Sequence, residues 1–307
     1  MLSVNLKAVF LSDTPAFTKF SDRLLFPLEA AGFATIAGLT RVLPVDQASS
    51  MSGAAWRRFA PLNRRHARAT FQLAAAMPEI SALQRAKILD GMWDNLGRTT
   101  AESFHLDEIL NDPTRVDIGS EFKTIVENVK SGGGVFVSLH LGNWELAVPL
   151  LAQAGLSVTS VYQRIKNPHV DTAVVQMRAK YYKGGLLPKG PDAARELLRA
   201  VTRSGAVAIM GDLRDFRGYA VPFFGKDAPS NTFPAMLARQ RKVPLYVAKI
   251  MRLTGVRFKL EITQINVSST QNKQADIRQA TCDIQAQFEV WIRETPEQWM
   301  WGHRRWG

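Results

Sequence analysis

One cysteine, Cys282, stands in 307 residues. A lone thiol closes no internal disulfide and builds no CxxC pair or multi-thiolate metal site, so the chain fits a reducing compartment. Cys282 falls in a helical pattern, as a helix-face residue rather than a nucleophile. Long apolar runs are also missing. The best, Leu24–Leu39, is interrupted by Pro27 and Glu29 and flanked by Arg23 and Arg41. A spanning helix needs about 20 apolar residues, so this stretch suits a helix lying in a membrane interface. The start lacks the charged n-region and small-residue cleavage site of a signal peptide. Acidic residues are few, 27 against 39 Lys and Arg, for a net charge of +12. That exceeds what solubility asks for. It points to nucleic acid, an anionic membrane surface, or an acidic protein or phosphorylated substrate.

Several signature motifs are absent too. No GxxxxGK[ST] or GxGxxG offers a phosphate cradle, and no GxSxG offers an esterase nucleophile. No RNP, helix-turn-helix, KH or zinc-finger pattern supports a nucleic-acid partner. His66, His105 and His169 have no ligand-spaced partners, so neither a metal nor another cofactor is expected.

The 46% of hydrophobic residues can bury a sizeable core. Residues 1–110 read as an N-terminal helical, membrane-associating region, with weak signals before 23. Ser81 with Gln84 forms a capping-box pattern, followed by Ile88, Met92 and Leu96 at helical spacing. Residues 111–307 read as an α/β catalytic domain. Strands are expected at Val135–Leu139, Val158–Tyr162, Ala206–Met210 and Leu245–Met251, with an edge strand at Phe258–Ile265. Helices are expected at Phe122–Lys130, Trp144–Ala154, His169–Tyr181, Pro191–Arg203, Asn231–Arg241 and Asp276–Trp291. Strands alternating with helices predict a mostly parallel central sheet flanked by helices. Sites in such sheets collect at the carboxyl ends of the strands. His140, Arg164 and Asp212 each fall at or just past such an end, and the Arg164 strand is expected to neighbour that of His140.

The stretch Ser138–Glu145 reads SLHLGNWE. A strand delivers His140, Gly142 permits a tight turn with close backbone approach, and Asn143 is a good N-cap for the next helix. Glu145 can then fold back on the imidazole. A carboxylate on one ring nitrogen fixes the tautomer, and the other nitrogen takes a proton from a hydroxyl. Backbone N–H groups near Gly142 and Asn143, or Arg164, would steady the developing oxyanion. Arg164 can grip a phosphate bidentately. Arg178 and Lys189 are further basic candidates on that side. Phe223, Phe224 and Gly225 form an apolar turn suited to lining an acyl tunnel. Trp299, Trp301 and Trp306 interleave with His303, Arg304 and Arg305, a mixture that suits a lipid headgroup interface.

HLGNWE resembles the His-x4-Asp/Glu block of the glycerolipid acyltransferase superfamily. VYQRIKNP at 161–168, VPFFGKDAP at 221–229 and PEQWMWGHRRW at 296–306 narrow the likeness. With the first block they are similar to the lipid A late acyltransferases, also called lauroyl or myristoyl acyltransferases. The resemblance implies acyl transfer from acyl carrier protein or acyl-CoA to a hydroxyl of a phosphorylated glycolipid, a lipid A precursor. It also implies the cytoplasmic face of the inner membrane and no metal. On it His140 and Glu145 are catalytic, and Arg164, Asn167 and Asp212 belong to the substrate site. Asp212 would orient Arg164 or His140; Leu213 departs from the polar neighbour usual in the family. Another glycolipid, glycerolipid or aminolipid acceptor, or a non-catalytic basic membrane-binding protein, is the alternative. Intact His140 and Glu145 speak against the last.

Overall fold

The computed structural model describes residues 20–203 and 205–306; of these, the side chains of 20–24 and 191 fall outside the description. Seven strands form one sheet in the order β1-β9-β8-β2-β5-β3-β4. They are β1 (Val116–Asp117), β2 (Gly134–Gly142), β3 (Val158–Tyr162), β4 (Gly185–Pro188), β5 (Ala206–Met210), β8 (Leu245–Arg252) and β9 (Phe258–Ile265). All pair in parallel except β8 with β9. β2 and β8 are buried almost throughout, which is why they read as unbroken apolar runs rather than alternating ones. The predicted mostly parallel sheet is thus present.

β2 outruns its expected end at Leu139. Its register against β8 slips between Ser138 and Gly142, and His140 is the one partly exposed residue in an otherwise buried strand. The irregularity turns an inner strand outward where a side chain is wanted. Gly142 makes it possible: φ is 59°, and a Cβ there would lie 1.8 Å from the Ile250 carbonyl oxygen. Asn143 does not cap the following helix. Trp144–Leu146 forms a 3-10 turn before α7 (Ala147–Gln153), while Asn143 Nδ2 donates to buried Glu102.

Four strands escaped the pattern: the two short edge strands β1 and β4, and β6 (Arg214–Phe223) and β7 (Lys226–Ser230). The last two form a separate antiparallel hairpin. Its two-residue loop is Phe224–Gly225, both at positive φ, as a primed hairpin turn requires.

The N-terminal helices are α1 (Phe20–Val42), α2 (Val45–Phe59), α3 (Arg64–Ala76), α4 (Ala82–Glu102) and α5 (Leu106–Asn111). The Ser81–Gln84 capping box starts α4 as expected. Leu73, Met92 and Trp93 of α3 and α4 share one core with Val137, Val247 and Trp299. Arg252 on β8 donates to both carboxylate oxygens of Glu102 and to Asn95, so a buried ion pair bolts α4 to the sheet. α1 instead leaves Leu25, Leu28, Ile36, Leu39 and Val42 exposed. Among the described residues no helix is long and apolar enough to cross a membrane. α6 (Phe122–Gly132) leads into β2, α8 (Pro168–Ala179) and α9 (Pro191–Thr202) lie between β2 and the hairpin, and α10 (Phe233–Arg241) and α11 (Lys273–Glu294) follow it.

Residues 299–306 correct the expectation of a headgroup-facing segment. Trp299, Trp301 and Arg305 are fully buried. The Arg305 guanidinium donates to Pro229 O, Ser230 Oγ and Gln285 Oε1. Desolvating a cation is tolerable only when its donors are so occupied. These residues therefore fasten the hairpin to α11 instead of meeting lipid.

Candidate active site

His140 stands at the carboxyl end of β2 and Asp212 just past β5, the strand beside it. The side chains meet: His140 Nδ1 lies 2.9 Å from Asp212 Oδ1, and the His140 backbone N–H donates to Oδ2 at 2.9 Å. Trp299 Nε1 donates to the same Oδ2, also at 2.9 Å. Trp299 gets there because its segment bridges to Leu141 and the Met300 N–H donates to the His140 carbonyl. Gly211 keeps the turn tight, with its N–H on Ser138 O and its carbonyl accepting from Gln285.

Burial alone would raise the Asp212 pKa. His140 beside it and the donors around it prevail and hold the carboxyl well below the usual range. For His140, burial disfavours the charged ring, but the Asp212 carboxylate more than offsets this. Glu145 adds to the upward pull and Arg178 opposes it, so the imidazole pKa lies above its ordinary value. An ionised carboxylate can only accept, so Nδ1 carries the hydrogen and Nε2 keeps its lone pair. That is the tautomer of a general base.

Glu145 is not the residue on the His140 ring. The 3-10 turn directs it to α8, where Arg178 Nε donates to Oε2 at 3.1 Å and Nη2 donates to Oε1. Arg178 is thereby engaged by a protein carboxylate rather than left open for a ligand. Asn167 is occupied as well. Its Oδ1 caps α8 through His169 N and Val170 N, and its Nδ2 donates to Phe26 O and Glu29 of α1. Arg164 and Lys189 are exposed at the ends of β3 and β4. They share the carboxyl edge with His140, but β5 lies between β2 and β3, so the Arg164 strand is not the neighbour of the His140 strand. Phe223 and Phe224 are buried and pack on Trp299, Trp301 and Trp306, with Gly225 completing the turn; they fill space instead of lining it. An apolar hollow of about 310 Å³ opens between α1 and α8, lined by Ala34, Phe104 and Met177 among others.

Two participants were not singled out for the site from sequence: Trp299 and His303. The alternation of aromatic and basic residues in QWMWGHRRW was their only signal. His303 Nε2 lies 3.8 Å from Asp212 Oδ2, and its ring centroid is 5.7 Å from that of His140. One ligand-type atom from each of His140, Asp212 and His303 lies within 4.8 Å of the others, a donor set that suits a transition metal. An ion seated there would compete for the Asp212 carboxylate that fixes the His140 tautomer.

A histidine held by a buried carboxylate on the adjoining strand of an α/β sheet has the geometry of a general base. The family follows from the whole sequence: the chain belongs to the bacterial lipid A biosynthesis acyltransferases, whose pattern matches residues 17–307. It is therefore an acyltransferase of lipid A biosynthesis. No curated protein matches the chain.

Proposed function

We propose that the chain moves a fatty acyl group from an acyl carrier protein or acyl-CoA thioester to a hydroxyl of a phosphorylated lipid A precursor, with His140 as general base. The observation that carries this is the His140 Nδ1–Asp212 Oδ1 contact of 2.9 Å. His140 Nε2 takes the hydroxyl proton as the oxygen attacks the thioester carbonyl. The proton then passes to the departing sulfur. Asp212 holds the ring and stabilises its cation. Glu145, paired with Arg178, acts on the same ring through its charge and frames the approach. A parallel sheet places strands about 4.8 Å apart, so Arg164 stands some two strand spacings from His140. That separation suits a grip on an acceptor phosphate better than contact with the reacting carbonyl. The hollow between α1 and α8 begins beside Met177, next to Arg178, and receives the acyl chain. The exposed apolar face of α1 rests on the cytoplasmic leaflet of the inner membrane, and the net charge of +12 favours both anionic lipid and an acidic carrier.

The test is acyl transfer by the purified protein, read by mass spectrometry of the acceptor, with each donor in turn. His140→Ala is expected to lose about 10²–10⁴-fold in turnover, the usual contribution of a general base. Arg164→Ala should raise KM and leave kcat near wild type. Wild-type turnover in His140→Ala would remove the proposed base.

A further inference from the structure

His303 has two ring nitrogens, both shielded from solvent, and neither has a hydrogen-bond partner among the described residues. The 3.8 Å to Asp212 Oδ2 is too long for a hydrogen bond. Loose tethering is not the reason. The His303 carbonyl accepts from Gln72, and its ring meets the Trp299 indole at 5.2 Å and 85°. Native folds pair buried polar atoms almost without exception, and an orphan marks a missing partner. Here the orphan faces the reaction centre, 5.7 Å from the His140 ring.

Several other donors near the centre are occupied. The Asn143 N–H, expected from sequence to face an oxyanion, donates to Ile250 O at 3.0 Å, and Asn143 Nδ2 donates to Glu102. Trp299 Nε1 is on Asp212, and Arg178 is on Glu145. Arg164 lies beyond β5. A tetrahedral intermediate needs preorganised donors at its negative oxygen, and the His303 ring, beside His140, makes no well-formed hydrogen bond, with only a weak backbone contact from Asp212.

We propose that His303 is a catalytic residue of the acyl transfer, donating a ring N–H to the thioester carbonyl oxygen as that oxygen becomes negative. This rests on the reading of His140 as base. As the acceptor O–H bond breaks, its proton goes to His140 Nε2 and the new O–C bond forms. The carbonyl π pair moves onto oxygen, where the His303 N–H meets it and keeps its own proton. The carbonyl then re-forms, the C–S bond breaks with its pair on sulfur, and the thiolate takes the proton from His140. The role requires only that one His303 ring nitrogen carry a hydrogen, as it does in the neutral ring. Burial favours the neutral ring, the charge and backbone of Asp212 oppose it, and the charges of His140 and Arg305 add to it, so the ring pKa is pushed down to about 4.

The experiment compares His303→Phe, His303→Gln and His140→Ala in the full chain, with melting temperature as the folding control. His303→Phe should lose about 10²–10³ in kcat, as for one oxyanion donor, with acceptor KM little changed. His303→Gln keeps an N–H and should recover at least about tenfold of that loss. The acid limb of kcat/KM, set by His140, should stay in place in His303→Gln. Wild-type kcat in a folded His303→Phe, or equal losses in both variants, overturns the proposal. An inactive His140→Ala beside a wild-type His303→Phe would sink this inference alone, whereas an active His140→Ala would sink the base beneath it. Should either His303 variant not fold, ¹⁵N-histidine spectra of the wild-type protein with a phosphonate analogue of the intermediate decide. A downfield shift of the His303 N–H proton supports the proposal, and its absence overturns it.

Discussion

Asp212 answers to three donors at once: the His140 ring, the His140 backbone and the Trp299 indole. Its charge sets the ring tautomer, so Asp212→Asn should cost about 10³–10⁴-fold in kcat, the scale known for removing such a carboxylate. The pH profile supplies a second readout. With His140 as the proposed base, activity needs its neutral ring and should fall as pH drops through a pKa that Asp212 holds above the ordinary value. Removing the charge lowers that pKa, and the acid limb of kcat/KM must move to lower pH. A limb that stayed put or moved up would refute the assignment. His140 itself was legible in the sequence because a strand run, a glycine and a turn converge on it. Its partner was half legible. Glu145 lies five residues on and was the natural choice; Asp212 lies 72 residues away, and only strand order brings β5 beside β2. Spacing along the chain reports local geometry, whereas this contact is one between strands.

At the scale of elements, the strands with buried, apolar inner positions were all readable: β2, β3, β5, β8 and β9 fall where the hydrophobic runs put them. β1, β4, β6 and β7 were not: β1 is two residues long and β4 four, and the exposed and half-buried positions of β6 and β7 carry arginine, aspartate and proline that imitate a loop. The join between α4 and β8 was equally hidden. Glu102 and Arg252 look like ordinary surface charges until the fold buries both. Removing one partner of a buried ion pair strands the other, at about 3–5 kcal/mol. Glu102→Ala should therefore lower the unfolding free energy by that amount in urea titrations, and replacing both residues with methionine should restore much of it. A cost below about 1 kcal/mol would place the pair among exposed bridges and contradict its burial.

Among the described residues, α1 presents a run of exposed apolar side chains, and the molecule carries a large positive charge. Point substitutions test the membrane role better than truncation, because Asn167 leans on Phe26 and Glu29 of that helix. Leu28→Ser, Leu39→Ser and Val42→Ser together alter residues 65–82% exposed and should leave melting unchanged. They should weaken binding to anionic vesicles by tenfold or more, since burying one such side chain is worth about 1.5–3 kcal/mol. Undiminished vesicle binding would locate the contact elsewhere. The segment from Trp299 to Arg305 has a consequence for biosynthesis. It supplies a donor to Asp212 and threads between the hairpin and α11, yet it is translated well after every strand of the sheet. A nascent chain paused before residue 299 holds the residues of every strand, but Asp212 lacks the indole and His140 lacks the second imidazole. On the proposed roles of His140, His303 and α1, the site is completed only once residues 299–305 are made, after the helix proposed to meet lipid, so a nascent chain would be able to reach a membrane before it can acylate anything there.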